Sequence, residues 1–187
     1  LLGGDEVCGY FVFQRDRERT LDRIALIPST VDALRMLARA GFHLVVVTNQ
    51  SGIALGLFDE AFVRQTHDAL HARLEAAGAR IDAWYYCPHH PAGHVPALTG
   101  PCECRKPGPA LPRQAAAELG IDLSRSWMVG DRWGDVQLAA SAGMAGGILV
   151  RTGYGRSAEA LPAPGATAAC IADDVMDAAS WILRQPR

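Results

Sequence analysis

Lysine is almost missing from this chain of 187 residues: Lys106 stands alone among 18 basic side chains, the rest being arginine. Basic blocks are missing too. Against 20 Asp and Glu the formal net charge is -2, with no like-charge run and no basic tail. Clustered cations are what electrostatic nucleic-acid binding requires, so nucleic acid is excluded as the default partner. No apolar run reaches the ~20 residues of a membrane-spanning helix. The first residues lack the charged-then-apolar order of a secretion signal, so the expectation is a cytoplasmic protein without membrane contact. An even cysteine framework is lacking as well. Of the 5 cysteines, three crowd between residues 87 and 104. In a reducing compartment that crowding points to metal rather than to disulfides.

What is present is ordinary for a folded protein: 49% hydrophobic and 20% charged residues. The length suits a single domain over residues 1–187, expected to be monomeric. Ser29 and Thr30 are placed to cap a helix through Leu34 and Leu37 that ends at Gly41, and the apolar run Phe42 to Thr48 reads as a buried parallel strand. Asp59 opens a second helix to about Ala77, with Phe62, Thr66, Ala69, Leu70 and Leu74 as its inner face. Strands are expected at 83–86, 127–129, 147–150 and 168–171, and helices up to Leu119, over 135–142 and over 174–183. Residues 87–108 and 153–166 read as irregular. Strand–helix alternation of this kind implies an α/β fold, a doubly wound parallel sheet covered on both faces. Ligands of such sheets bind beyond the carboxyl ends of the strands.

Cys87-Pro88-His89 and Cys102-Glu103-Cys104 offer three thiolates and an imidazole, with His90 and His94 as competing ligands. Four such groups complete a tetrahedral zinc site with no open position, which is a structural rather than a catalytic arrangement. The loop over 87–104 has few apolar residues to fold around, so a metal staple supplies its stability.

Three strand-end segments carry the rest of the chemistry: Thr48-Asn49-Gln50-Ser51-Gly52, Arg105-Lys106-Pro107, and Gly130-Asp131 with Asp135. A hydroxyl and backbone N–H groups can cradle phosphate oxygens. An ammonium balances charge on a transferring phosphoryl group, and carboxylates hold a hard cation such as magnesium. Read singly, each segment has a plain structural explanation as a cap, a surface residue or a turn. Taken together and in this order, they describe a phosphate site.

These segments, with Tyr85-Tyr86-Cys87-Pro88-His89-His90-Pro91 and Cys102-Glu103-Cys104-Arg105-Lys106-Pro107, resemble the haloacid dehalogenase superfamily of phosphatases over about residues 24–155. Within it they are most similar to the D-glycero-D-manno-heptose 1,7-bisphosphate phosphatases and the related histidinol phosphatases. The resemblance implies that Thr48, Asn49, Gln50 and Ser51 bind phosphate, that Lys106 stabilises it, and that Arg105 grips a second phosphate. It implies Asp131 as a magnesium ligand supported by Asp135. It also implies a small phosphosugar as substrate, heptose bisphosphate or alternatively histidinol phosphate, with Mg2+ and Zn2+ as cofactors. A non-catalytic relative that binds phosphosugar or a partner protein is the reading of a different class.

The family attacks phosphorus with an aspartate and uses a second one, two residues on, as acid and base. That D-x-D-G-T segment is not present here, and three readings stay open. Asp16-Arg17-Glu18-Arg19-Thr20 is a degenerate copy, with Asp16 as nucleophile and Glu18 as acid/base. Alternatively Tyr10 to Phe13 is the first strand, and Gln14 takes the nucleophile's place. In the third reading the motif and the central strand lie upstream of Leu1.

Overall fold

The computed structural model describes residues 2–3, 26–27 and 29–186. Six strands form one parallel sheet: β1 (Leu2–Gly3), β2 (Val45–Asn49), β3 (Ala83–Cys87), β4 (Trp127–Gly130), β5 (Gly146–Val150) and β6 (Cys170–Ala172). Their order is β3-β2-β1-β4-β5-β6. The two-residue β1 takes the central place, with Leu2 level with both Val46 and Val129. Of the three readings of the missing motif, the Asp16–Glu18 and Tyr10–Phe13 versions fall outside the described residues. The third expected the central strand upstream of Leu1, whereas Leu2–Gly3 holds that position here.

Alternating side chains of the strands bury both faces, as strand geometry requires. Val46, Val129, Ile148 and Val150 pack against α1 (Thr30–Arg39) and α7 (Val175–Leu183). Val45, Val47 and Met128 pack on the other face against α4 (Ala110–Leu119) and α5 (Trp133–Ala142). The remaining helices are α2 (Ser51–Ala54), α3 (Glu60–Ala76) and α6 (Gly155–Ala160). Among the described residues, no helix is long and apolar enough to cross a membrane.

Most expected elements form within a few residues of their anticipated bounds. Asp59 caps α3 by accepting from the Phe62 N–H at 2.8 Å. Pro109 and Pro112 fall at the start of α4, where missing N–H groups cost little. Four details differ. Ser29 sits at the N-cap of α1, but its hydroxyl donates to Asp174 Oδ2 at 2.8 Å instead of capping the helix. On α3 the expected Thr66, Leu70 and Leu74 are buried, but Val63 and His67 complete the inner face in place of the half-buried Phe62 and Ala69. Residues Phe42 to Leu44 lie before β2, where the Leu44 N–H donates to the Asp82 carboxylate at 2.7 Å. Finally, α2 and α6 form in stretches that read as loops, the first beginning within the Thr48–Gly52 segment.

Candidate active site

The sheet order reverses direction around β1, between β2 and β4. A doubly wound sheet opens its ligand crevice there, beyond the carboxyl ends of the strands. Thr48 and Asn49 are the last residues of β2, and Asp131 follows the last residue of β4. Lys106 comes from the irregular segment before α4, yet it is fastened to the same place. Its ammonium donates to the Val47 carbonyl at 3.0 Å and pairs with Asp135 Oδ1 at 2.7 Å. Side-chain exposure is 7% for Lys106 and 2% for Asp135, so this is a buried ion pair. The hydroxyl, the ammonium and the carboxylate therefore share one end of the sheet.

The buttressing is specific. Asp135 Oδ2 accepts from the Arg132 N–H at 3.1 Å, capping α5 just after Asp131. Both Asp135 oxygens are thus engaged, and its observed part is to hold Lys106 and the helix start. A Cβ at Gly130 would come within 2.3 Å of the Asp135 carboxyl, so β4 must end in glycine for that carboxylate to sit against the strand. Gln50, expected among the phosphate contacts, is buried and donates to Thr48 Oγ1 at 3.1 Å. The Ser51 hydroxyl accepts from Arg105 at 2.7 Å, and the same guanidinium nitrogen donates to the His89 carbonyl at 3.2 Å. The Asn49 side chain is turned to the Lys106 backbone.

Asp131 is buried and asymmetric. Its Oδ2 accepts from the Tyr154 N–H at 3.0 Å, while its Oδ1 is buried without a hydrogen-bond partner. Burial raises its pKa and the neighbouring Asp135 charge adds to that, against the Tyr154 N–H. An unpaired carboxylate oxygen in a buried site fits a hard divalent cation, which would satisfy it. The residues present therefore suit magnesium. The Tyr154 contact had no motif to announce it. One signal was available in Gly155, where a Cβ would strike the Val150 carbonyl, so β5 must turn sharply back over Asp131.

A cluster able to hold a metal ion assembles from the expected four residues. Cys87, His89, Cys102 and Cys104 present ligand atoms all within 4.8 Å of one another. Sulfur–sulfur distances run from 3.0 Å (Cys87–Cys104) to 3.6 Å (Cys87–Cys102), and His89 Nδ1 is 3.3 Å from Cys104. Tetrahedral zinc with Zn–S of about 2.3 Å would space its sulfurs by about 3.8 Å; the Cys87–Cys102 and Cys102–Cys104 pairs approach that spacing, and the Cys87–Cys104 pair is tighter. Of the competing imidazoles, His90 instead accepts from the Ala92 N–H at 3.1 Å, and neither His90 nor His94 joins the cluster. Burial pushes the Cys87 thiol pKa up, with the neighbouring Cys104 thiol contributing, so a thiolate there requires a cation beside it. Asp16 and Glu18, the expected nucleophile and acid/base, lie outside the described residues.

A cavity of about 410 Å³ opens at the other pole, by the amino ends of β2 and β4, lined by Phe42, His43, Leu44, Ser126 and Trp127 among others. None of the candidate residues lines it.

Comparison with known proteins agrees with the geometry. Residues 103–178 match the HAD-hydrolase-like family. The D-glycero-beta-D-manno-heptose-1,7-bisphosphate 7-phosphatase of Yersinia pestis is 44% identical over 139 residues, covering 74% of each chain. The enzyme of the same name from Pseudomonas aeruginosa is 38% identical over 169 residues, 90% of this chain and 89% of that one. Among solved structures, the D,D-heptose 1,7-bisphosphate phosphatase of B. bronchiseptica, complexed with magnesium and phosphate, superposes with a TM-score of 0.81. It is 34% identical and covers 99% of this chain and 97% of that one.

Proposed function

Because the chain belongs to the haloacid dehalogenase-like hydrolases, and within them to the D-glycero-beta-D-manno-heptose-1,7-bisphosphate 7-phosphatase family, we propose that it removes the 7-phosphate from that sugar bisphosphate. The observation that carries this reading is the fastening of Lys106 between Val47 and Asp135, which sets an ammonium beside Thr48 and Asp131 at the mouth of the sheet.

The residues divide the work as follows. Thr48, with its hydroxyl backed by Gln50, and the backbone after β2 receive the phosphoryl oxygens. Lys106 balances the negative charge that spreads over them as the ester bond breaks. Asp131, anchored on one oxygen by Tyr154, would hold magnesium with the other. Magnesium, when bound, supplies charge neutralisation at the phosphoryl oxygens. Arg105, held by Ser51 and the His89 carbonyl, grips the second phosphate. Cys87, His89, Cys102 and Cys104 hold a structural zinc that shapes the loop carrying Arg105 and Lys106. Asp16 and Glu18 are the proposed nucleophile and acid/base. The working picture is a cytoplasmic, monomeric enzyme.

The test is hydrolysis of D-glycero-beta-D-manno-heptose 1,7-bisphosphate with magnesium, followed by phosphorus NMR. The signal of the 7-phosphate is expected to vanish while the 1-phosphate remains, and a magnesium chelator should stop the reaction. Preferred turnover of histidinol phosphate would move the substrate assignment to that branch. Binding of the bisphosphate without turnover would overturn the enzymatic reading.

A further inference from the structure

We propose that Asn49 is a positioning residue for Lys106, acting through the lysine and not as a phosphate ligand. Asn49 closes β2, and its side-chain amide meets both polar groups of the Lys106 backbone. The Lys106 N–H donates to Asn49 Oδ1 at 3.0 Å, and Asn49 Nδ2 donates to the Lys106 carbonyl at 3.4 Å. One amide thus does for this residue what a neighbouring strand does for a ladder position.

The segment around Lys106 has no strand of its own. Its backbone bonds are short-range, from the Gly108 N–H to the Arg105 carbonyl and from the Ala110 N–H to the Glu103 carbonyl. Those bonds stay within the loop, and the neighbouring anchors, Arg105 on Ser51 and the His89 carbonyl and Cys104 in the candidate metal cluster, hold other residues and leave the Lys106 peptide itself to β2. β2 takes hold of it at both ends: Asn49 grips the peptide, and the Val47 carbonyl accepts from the ammonium at 3.0 Å. Asp135 then fixes the ammonium from α5 at 2.7 Å. A lysine side chain has four rotatable bonds to its ammonium, so placing its charge requires anchoring of both backbone and tip. Because Thr48 precedes Asn49, the same strand end that offers the hydroxyl also sets the distance to the ammonium. An amide already bonded on both sides to a peptide has its polar groups committed to the loop.

This inference rests on the phosphatase reading of Lys106. A misplacement on the order of 1 Å can cost about 100-fold in rate. Asn49→Ala is therefore expected to lower kcat by about 10- to 100-fold, with KM for the heptose bisphosphate within about 2-fold of the wild-type value. In a Lys106→Met background, Asn49→Ala should cost nothing more, because the residue it positions is gone. Additive losses in that cycle, or a rise in KM at unchanged kcat, would overturn the proposal. Asn49→Asp keeps an acceptor for the Lys106 N–H but sets a carboxylate oxygen against its carbonyl. It should lose an intermediate amount and serves if the alanine variant does not fold. Hydrogen exchange of the Lys106 amide needs no turnover. Asn49→Ala should speed it by at least 10-fold, and unchanged protection would overturn the clamp even if no substrate is hydrolysed. A wild-type chain that turns over nothing, with that amide deprotected in the variant, would sink the phosphatase reading and leave the clamp standing.

Discussion

Removing the charge of Asp135 should destabilise the protein by leaving Lys106 buried without its counter-ion. The two side chains are 7% and 2% exposed, with Nζ and Oδ1 2.7 Å apart. At an effective dielectric of about 20, charges at that distance attract by roughly 6 kcal/mol before desolvation is subtracted. Breaking a buried pair by losing one partner costs about 3–5 kcal/mol, because the survivor stays desolvated. Asp135→Asn keeps an oxygen for the Arg132 N–H, so the helix cap survives and the charge is what changes. In a domain of this size each kcal/mol moves Tm by about 2–4 °C, so Asp135→Asn should melt roughly 6–20 °C below the wild type. Lys106→Met should fall in the same range. The double variant Lys106→Met/Asp135→Asn is the decisive one, since replacing both partners leaves no orphan charge. Its loss should be well below the sum of the two single losses, measured by urea or thermal unfolding. Additive single losses would refute the reasoning and reduce the contact to an incidental proximity.

Three further outcomes are expected. Cys104→Ser, or a strong chelator, should remove one zinc per chain and lower Tm by about 10 °C or more, with turnover falling too because Cys104 lies two residues from Lys106; unchanged melting in a zinc-free chain would refute the staple. His67 is buried on α3 against Trp84, and desolvation, opposed by Asp68, lowers its pKa from 6.5 to about 4. The unfolded chain therefore takes up this proton first as pH falls, so stability should drop between pH 6.5 and 4 by at most about 3 kcal/mol. His67→Gln should flatten that part of the pH–stability curve, and an unaltered slope would exclude His67 as its source. Asp16→Asn should abolish turnover and Glu18→Gln should slow it by about 100-fold or more; full activity in Asp16→Asn would clear that segment of the nucleophile's role.

The four residues of the candidate metal cluster were legible because their chemistry is local. Two short pairs, Cys87 with His89 and Cys102 with Cys104, carry their spacing within a turn of chain, and only their meeting needed the fold. Lys106 was legible for a compositional reason, as a lone ammonium in an arginine chain. The part of the α3 inner face made by Val63 and His67 was not. Val63 and His67 are one position on from Phe62 and Thr66, and β3, which supplies Trp84 beneath His67, chooses the face.

Strand–helix alternation, metal-ligand spacing and strand-end chemistry determined the fold class and singled out the candidate site residues, because each is a property of short stretches of chain. The sequence could not say what those residues do to one another. That Asn49 turns to the Lys106 peptide, that Asp135 spends both oxygens on Lys106 and Arg132, and that Tyr154 meets Asp131 while Oδ1 stays unpaired were decided by packing. Each of those contacts joins segments far apart in the chain or resolves a choice among several partners. Hydrogen-bond choice at a buried site depends on which groups the tertiary fold brings within 3 Å or so, and no local pattern encodes that.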